Sequence, residues 1–464
     1  MADPRLPLAE LHLHMYGTIR AEDYLERLGA REVDWRFYEA MFERAYGERP
    51  PLRDILERHR AGDPDAAHAF RRLFVFGDAD AGNFERFQAK FNLLINGSEM
   101  MNAVSGKHAD PVPALADEID FFITRMLADQ RRQGIRYAEQ RMMFGPPFTA
   151  EMTRRLSVSI LERYARAARD GLTARLAFSL PRRDPWPDFE LVRELALGPH
   201  GEHVTGIDFC YVEEGFPPKG KAEFFAAVHE WNDRHPARAL AILYHVGESF
   251  SDKSLESAVR WVHEAAELGA HRLGHAIALG VDPEVYGAHE RSESVEERLD
   301  QIGYDLAHAE ALRARGVRVD ANALGREREL LRHRLPDERV THRYDGARLA
   351  EVCARQEFAM ARVRAAGAVV EVCPTSNLRI GGIADPLHHP VHRFLEHSVP
   401  FVVASDDPGI FDTTVRDELD WVAREAGLEP GAVEDLVERA WNSRSEVVSG
   451  RESVSGHQAR DRLV

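Results

Sequence analysis

The chain has 464 residues, of which 44% are hydrophobic, enough to bury a large core. Its net charge of −17 and isoelectric point near 5.7 exclude a protein that grips nucleic acid through a basic face. Three widely spaced cysteines, Cys210, Cys353 and Cys373, form no CxxC, no signal-like leader is visible, and no apolar run nears a membrane span, so a cytoplasmic protein without disulfides is expected.

Eight short apolar runs follow one another along the chain. They are Leu8–Tyr16, Gly134–Phe144, Thr173–Leu180, Val204–Val212, Arg238–Glu248, His271–Leu279, Gly367–Thr375 and Val399–Pro408. Longer stretches of helical pattern separate them. Strands alternating with helices predict parallel strands joined by crossovers, and eight such units predict a (β/α)8 TIM barrel as a single domain over residues 1–464. Two connections exceed what a barrel needs, at about 30–110 and about 281–350. Both read as helical insertions, the second very charged and expected to flank the catalytic face or serve a homo-oligomer. The polar tail from Ser449 onward is expected to fray.

The polar residues of these runs fall towards one end. His14, Glu139, His245, Glu248, His275, Asp406 and Asp407 are read into or just after the C-terminal half of a strand, where barrel enzymes build their sites. In "ELHLHMYG", His12 and His14 stand at i and i+2, so both imidazoles leave a strand on the same face. "YHVGE" adds His245 and Glu248, and "SDDP" adds Asp406 and Asp407. Three histidines and a carboxylate suit one Zn²⁺ or a similar borderline divalent ion. Taken singly, each pattern has an ordinary structural reading: a core histidine, or a turn before proline. Together, each at a strand end and in order, they form a site.

The stretches "ELHLHMYG", "IRYAEQR", "GIDF", "HVGES", "RLGHAIAL", "EVCPTSNLRI" and "SDDPGIF" resemble the adenosine deaminase family of the metal-dependent amidohydrolases. The resemblance implies zinc ligands at His12, His14, His245 and Asp406. It implies that Glu248 protonates the purine ring nitrogen N1 and that His275 orients and helps deprotonate the attacking water. It implies Asp407 as the hydrogen-bond partner of purine N7, and because the leaving amine must gain a proton, His275 or Asp406 is expected to relay it. Gly17, Tyr16 and Tyr211 would line the substrate. The implied reaction is hydrolytic deamination of a purine nucleoside such as adenosine, with no nucleic-acid or membrane partner.

Two positions depart from the family pattern. Tyr16 stands where the family has an Asp that contacts the ribose 5′-hydroxyl, which removes a carboxylate that would repel a 5′-phosphate. Tyr211 replaces a glycine whose backbone approaches the purine. A nucleotide or a 5′-modified adenosine is therefore the alternative substrate, with insertion arginines such as Arg326 and Arg328 as candidate phosphate partners. A catalytically silent barrel used for binding or assembly is the alternative of another class.

Overall fold

The computed structural model describes residues 6–104, 110–145 and 148–452. All but the first few residues of the polar tail lie outside them.

Eight parallel strands form one sheet: β1 (Leu8–His14), β2 (Ile135–Met143), β3 (Thr173–Ser179), β4 (Val204–Asp208), β5 (Ala241–Val246), β6 (Arg272–His275), β9 (Val369–Val372) and β10 (Phe401–Val403). Their order is β1-β2-β3-β4-β5-β6-β9-β10. The sheet closes where Leu13 bridges in parallel to Asp406, with the His14 amide donating to the Asp406 carbonyl (3.2 Å) and the Asp406 amide to the His12 carbonyl (2.9 Å). This is the expected TIM barrel. The strands are apolar runs because both faces are buried, one by the barrel interior and one by the outer helices.

Two runs split. In the sixth, the strand stops at His275 and a short helix, Ile277–Gly280, follows. In the seventh, Pro374 opens the helix Pro374–Ile380. Proline suits a first helical turn, where its missing N–H has no partner to lose. Apolar content alone did not separate these short helices from strand.

Between β1 and β2 the chain builds a helical layer with its own aromatic core, including Tyr24, Trp35, Tyr38, Phe42, Phe70 and Phe74. The layer meets the C-terminal end of the barrel: the Phe76 amide donates to the Ile410 carbonyl (2.8 Å), and Arg379 donates to the Phe76 carbonyl (3.0 Å).

The second insertion is not wholly helical. It holds an antiparallel hairpin, β7 (His289–Ser294) with β8 (Arg339–Tyr344), whose strands are separated by the helices Val295–Ala307, Ala309–Arg313 and Ala321–Leu331. The alternating pattern of "HERSES" and "RVTHRY" is strand-like, but its charge masked it. The following helix, Gly346–Ala366, is the ordinary crossover to β9. Buried ion pairs weld the insertion to the barrel helix Leu255–Glu267 and to this crossover: Arg260 with Glu297, and Arg355 with Asp305 (2.5 Å). Arg298, Arg334, Arg343 and Arg348 likewise sit on carboxylates of the chain.

Candidate active site

The C-terminal ends of β1, β5 and β6 and the turn after β10 bring four imidazoles and a carboxylate together. One ligand atom each from His12, His14 and His245 lie within 4.8 Å of one another, as do those of His12, His275 and Asp406. The Asp406 Oδ1 is 3.5 Å from His12 Nε2 and 3.3 Å from His14 Nε2. His12, His245, His275 and Asp406 are buried.

Three of the four rings are aimed by a partner on the far side. His12 Nδ1 lies 2.9 Å from Glu371 Oε2, His245 Nδ1 lies 2.9 Å from Asp208 Oδ1, and His275 Nδ1 lies 3.0 Å from Asn377 Oδ1. A carboxylate accepting from Nδ1–H fixes the tautomer and leaves the Nε2 lone pair facing inward. Burial pushes His245 down to about 4 and His12 well below the usual range, so both rings are neutral and able to ligate. The His245 Nε2 is buried without a hydrogen-bond partner. A buried imidazole lone pair aimed inward beside other donors is the arrangement that ligates a metal. The donor set, three imidazoles and an aspartate, fits a borderline divalent ion.

The backbone makes room for this geometry. His275, Ala276 and Asp406 have φ of 61°, 47° and 62°, a left-handed region that non-glycine residues enter at a cost of about 1–2 kcal/mol each. These turns lie where β6 and the segment after β10 end, and they redirect consecutive side chains. Asp406 joins the imidazoles while Asp407 points beside Gly17. A Cβ on Gly17 would stand 1.6 Å from Asp407 Oδ1, so only glycine leaves that carboxyl its place.

Further titratable groups sit at the edge of the cluster. Glu248 Oε1 is 3.4 Å from His275 Nε2, and His275 Nε2 is 3.9 Å from Asp406 Oδ2. Burial raises the Glu248 carboxyl above the usual carboxylate range. Burial and the neighbouring Asp406 charge push Asp407 up to about 8, and its Oδ1 has no partner among the described residues.

Three positions differ from the sequence reading. Glu139 does not join the site. It is buried at the opposite end of the barrel, ion-paired with Arg272 and accepting from the Ser445 amide (2.6 Å) and the Tyr137 hydroxyl (2.7 Å). Tyr211 is 64% exposed and offers only its carbonyl, to Arg182 (2.9 Å); Cys210 is the residue that bonds His14. Tyr16 turns its ring onto Phe122, 5.0 Å away, and its hydroxyl is buried in the helical layer without a partner among the described residues.

Asp208, Glu371, Arg141 and Asn377 were not picked out one by one from the sequence. Arg141 is fully buried, 2.5 Å from both oxygens of Glu371 and 3.1 Å from His12 Nδ1. The available signal was charge inside runs otherwise written for burial: Asp208 in "GIDF", Glu371 in "VVEV", Arg141 in "EQR".

The family model for adenosine deaminase matches residues 334–446, which include β9, Glu371, Asn377, Asp406 and Asp407. An adenosine deaminase of Serratia proteamaculans is 23% identical over 98% of this chain and 100% of its own length. An aminodeoxyfutalosine deaminase of Acidothermus cellulolyticus is 43% identical over 76 residues, 16% of this chain and 21% of that relative. The solved structure of an adenine deaminase from Arthrobacter aurescens superposes with a TM-score of 0.52 at 16% identity, over 99% of this chain and 97% of that one. The charged insertion of this chain is a hairpin and helices set beside the loop that carries Glu248.

Among the described residues one further group could gather a cation: His263, Glu267 and His308. It is already closed, because the Tyr304 hydroxyl meets His263 Nδ1 (2.7 Å) and Arg362 pairs with Glu267 (2.6 Å).

Proposed function

We propose that this protein is a zinc-dependent hydrolase that deaminates a 6-aminopurine nucleoside, releasing ammonia. The observation that carries the reading is the orphaned His245 Nε2 among His12, His14 and Asp406, directly beside the Glu248–His275 pair. His12, His14, His245 and Asp406 would hold the ion. When bound, a divalent ion there lowers the pKa of water towards about 7 and makes hydroxide available at neutral pH.

The chain's own groups supply the proton traffic. Attack at C6 pushes electrons onto ring N1, and the raised Glu248 carboxyl holds a proton to deliver there. His275, oriented by Asn377 and 3.4 Å from Glu248, takes the proton lost by the nucleophile. Asp406 or His275 relays a proton to the departing amine. Asp407, at about 8, is mostly protonated at neutral pH and donates to an unprotonated ring nitrogen, which N7 is.

A second reading concerns the sugar end. Tyr16 turns its hydroxyl into the helical layer, so residue 16 offers no carboxylate against a 5′ substituent. A 5′-extended adenosine or an adenine nucleotide fits that opening, and a relative 43% identical over 76 residues is named an aminodeoxyfutalosine deaminase. Ammonia release from adenosine, deoxyadenosine, 5′-methylthioadenosine, AMP and adenine, with Glu248→Gln as control, tests both. Adenosine turnover lost in the variant supports the first reading, preference for a 5′-substituted compound supports the second, and no turnover by the zinc-loaded protein refutes both.

A further inference from the structure

The second insertion reaches the site through one short loop. Gly247 to Ser254 joins β5 to the helix Leu255–Glu267 and carries Glu248. The loop has no regular structure, so its backbone groups need partners from elsewhere. On one side Glu213 accepts from the amides of Gly247 (2.9 Å), Glu248 (3.2 Å) and Ser249 (3.3 Å).

The hairpin β7–β8 supplies the other side. Arg291 donates to the carbonyls of Phe250 (2.8 Å) and Lys253 (3.2 Å), and its guanidinium lies 5.2 Å from the Phe250 ring centre. Arg339 donates to the Asp252 carbonyl (3.1 Å). Glu293, fully buried, accepts from the Ser254 amide (3.1 Å) and the Ser257 hydroxyl (2.7 Å), and is itself held by His342 (2.7 Å). The Tyr344 hydroxyl accepts from the Leu255 amide (2.9 Å). Five backbone groups between Phe250 and Leu255 thus end on four side chains of the hairpin.

We propose that this hairpin is a brace, and that Arg291 and Glu293 are positioning residues which hold the Glu248 carboxyl against His275. The role in catalysis rests on the deaminase reading; the brace itself does not. The buried ion pairs between the insertion and the helix Leu255–Glu267 make the brace stiff, because hairpin and loop are anchored to the same helix. Arg291 and Glu293 of the insertion are thus engaged by the loop rather than by a ligand.

The test compares Arg291→Ala, Arg291→Lys, Glu293→Gln and the control Arg343→Ala, whose side chain is exposed on the same hairpin. Amide hydrogen exchange over residues 247–257 reads the brace without any substrate. Arg291→Ala should exchange at least tenfold faster there, with the rest of the barrel unchanged. With the substrate that the wild type turns over, its kcat should fall about 10- to 100-fold at little-changed KM and metal content, as small misplacement of a catalytic group does. Arg291→Lys should recover part of both effects, Glu293→Gln should follow Arg291→Ala more weakly, and Arg343→Ala should change neither. Unchanged exchange in Arg291→Ala overturns the brace. Faster exchange with unchanged kcat overturns the positioning role. If the wild type turns over nothing, the deaminase reading falls, while exchange still decides the brace.

Discussion

Replacing Asp208 with asparagine tests whether His245 is a metal ligand. Asp208 is fully buried, accepts from His245 Nδ1 and from the Ser179 hydroxyl (both 2.9 Å), and lies 3.6 Å from Arg141. Burial alone would raise its carboxyl, but the neighbouring His245 and Arg141 hold it far below the usual range, so it is ionised at every working pH. Asn keeps the shape and one acceptor but removes the charge that makes His245 Nε2 more basic. Loss of such a partner weakens metal binding by about 10- to 100-fold, or roughly 1.4–2.7 kcal/mol. Competition for Zn²⁺ against a chromophoric chelator measures this directly. Thermal melting of the metal-free protein serves as the folding control. A zinc affinity within twofold of wild type, in a variant that folds normally, would refute the assignment of His245 or the idea that Asp208 orients it.

Other outcomes follow from the same geometry. Gly17→Ala puts a methyl 1.6 Å from Asp407 Oδ1 and forces that carboxyl to move, so turnover should fall at least tenfold while zinc content, read by elemental analysis, stays near wild type. Chelation should abolish ammonia release and added Zn²⁺ should restore it; activity that survives complete metal removal would sink the metal mechanism. Glu418 is buried, accepts from the Thr375 amide and the Thr413 hydroxyl, and burial raises it to about 7. Its folded pKa therefore exceeds its unfolded value of about 4.5, so the stability it favours is complete below about pH 4.5 and is lost as pH rises to about 7. Across that window wild type should lose about 3 kcal/mol more than Glu418→Gln in urea unfolding.

The stretches that form the candidate site were readable because each is local. His12 and His14 share a face by the two-residue period of a strand, and "HVGE" and "SDDP" each place two functional groups within a few residues of a strand end. The barrel was readable for a related reason, since strands buried on both faces leave continuous apolar runs at regular intervals. None of this needs knowledge of what lies across the barrel.

What the tertiary structure decided is direction and partnership. Glu139 and His14 both stand on barrel strands, yet Glu139 is held by Arg272 and the Ser445 amide while His14 meets Asp406, because the register across the barrel decides which residues face one another. Tyr16 and Tyr211 looked like pocket residues by position; the turn after β1 sends one into the helical layer, and the loop after β4 turns the other to solvent. Asp208 and Glu371 became meaningful only when β4 and β9 set them behind His245 and His12, across 37 and 359 residues of chain. The insertion read as a solvated charged segment because a charged side chain hydrated by water and one paired with a distant carboxylate are written with the same letters. Only packing shows that Arg291 and Glu293 hold the loop of Glu248.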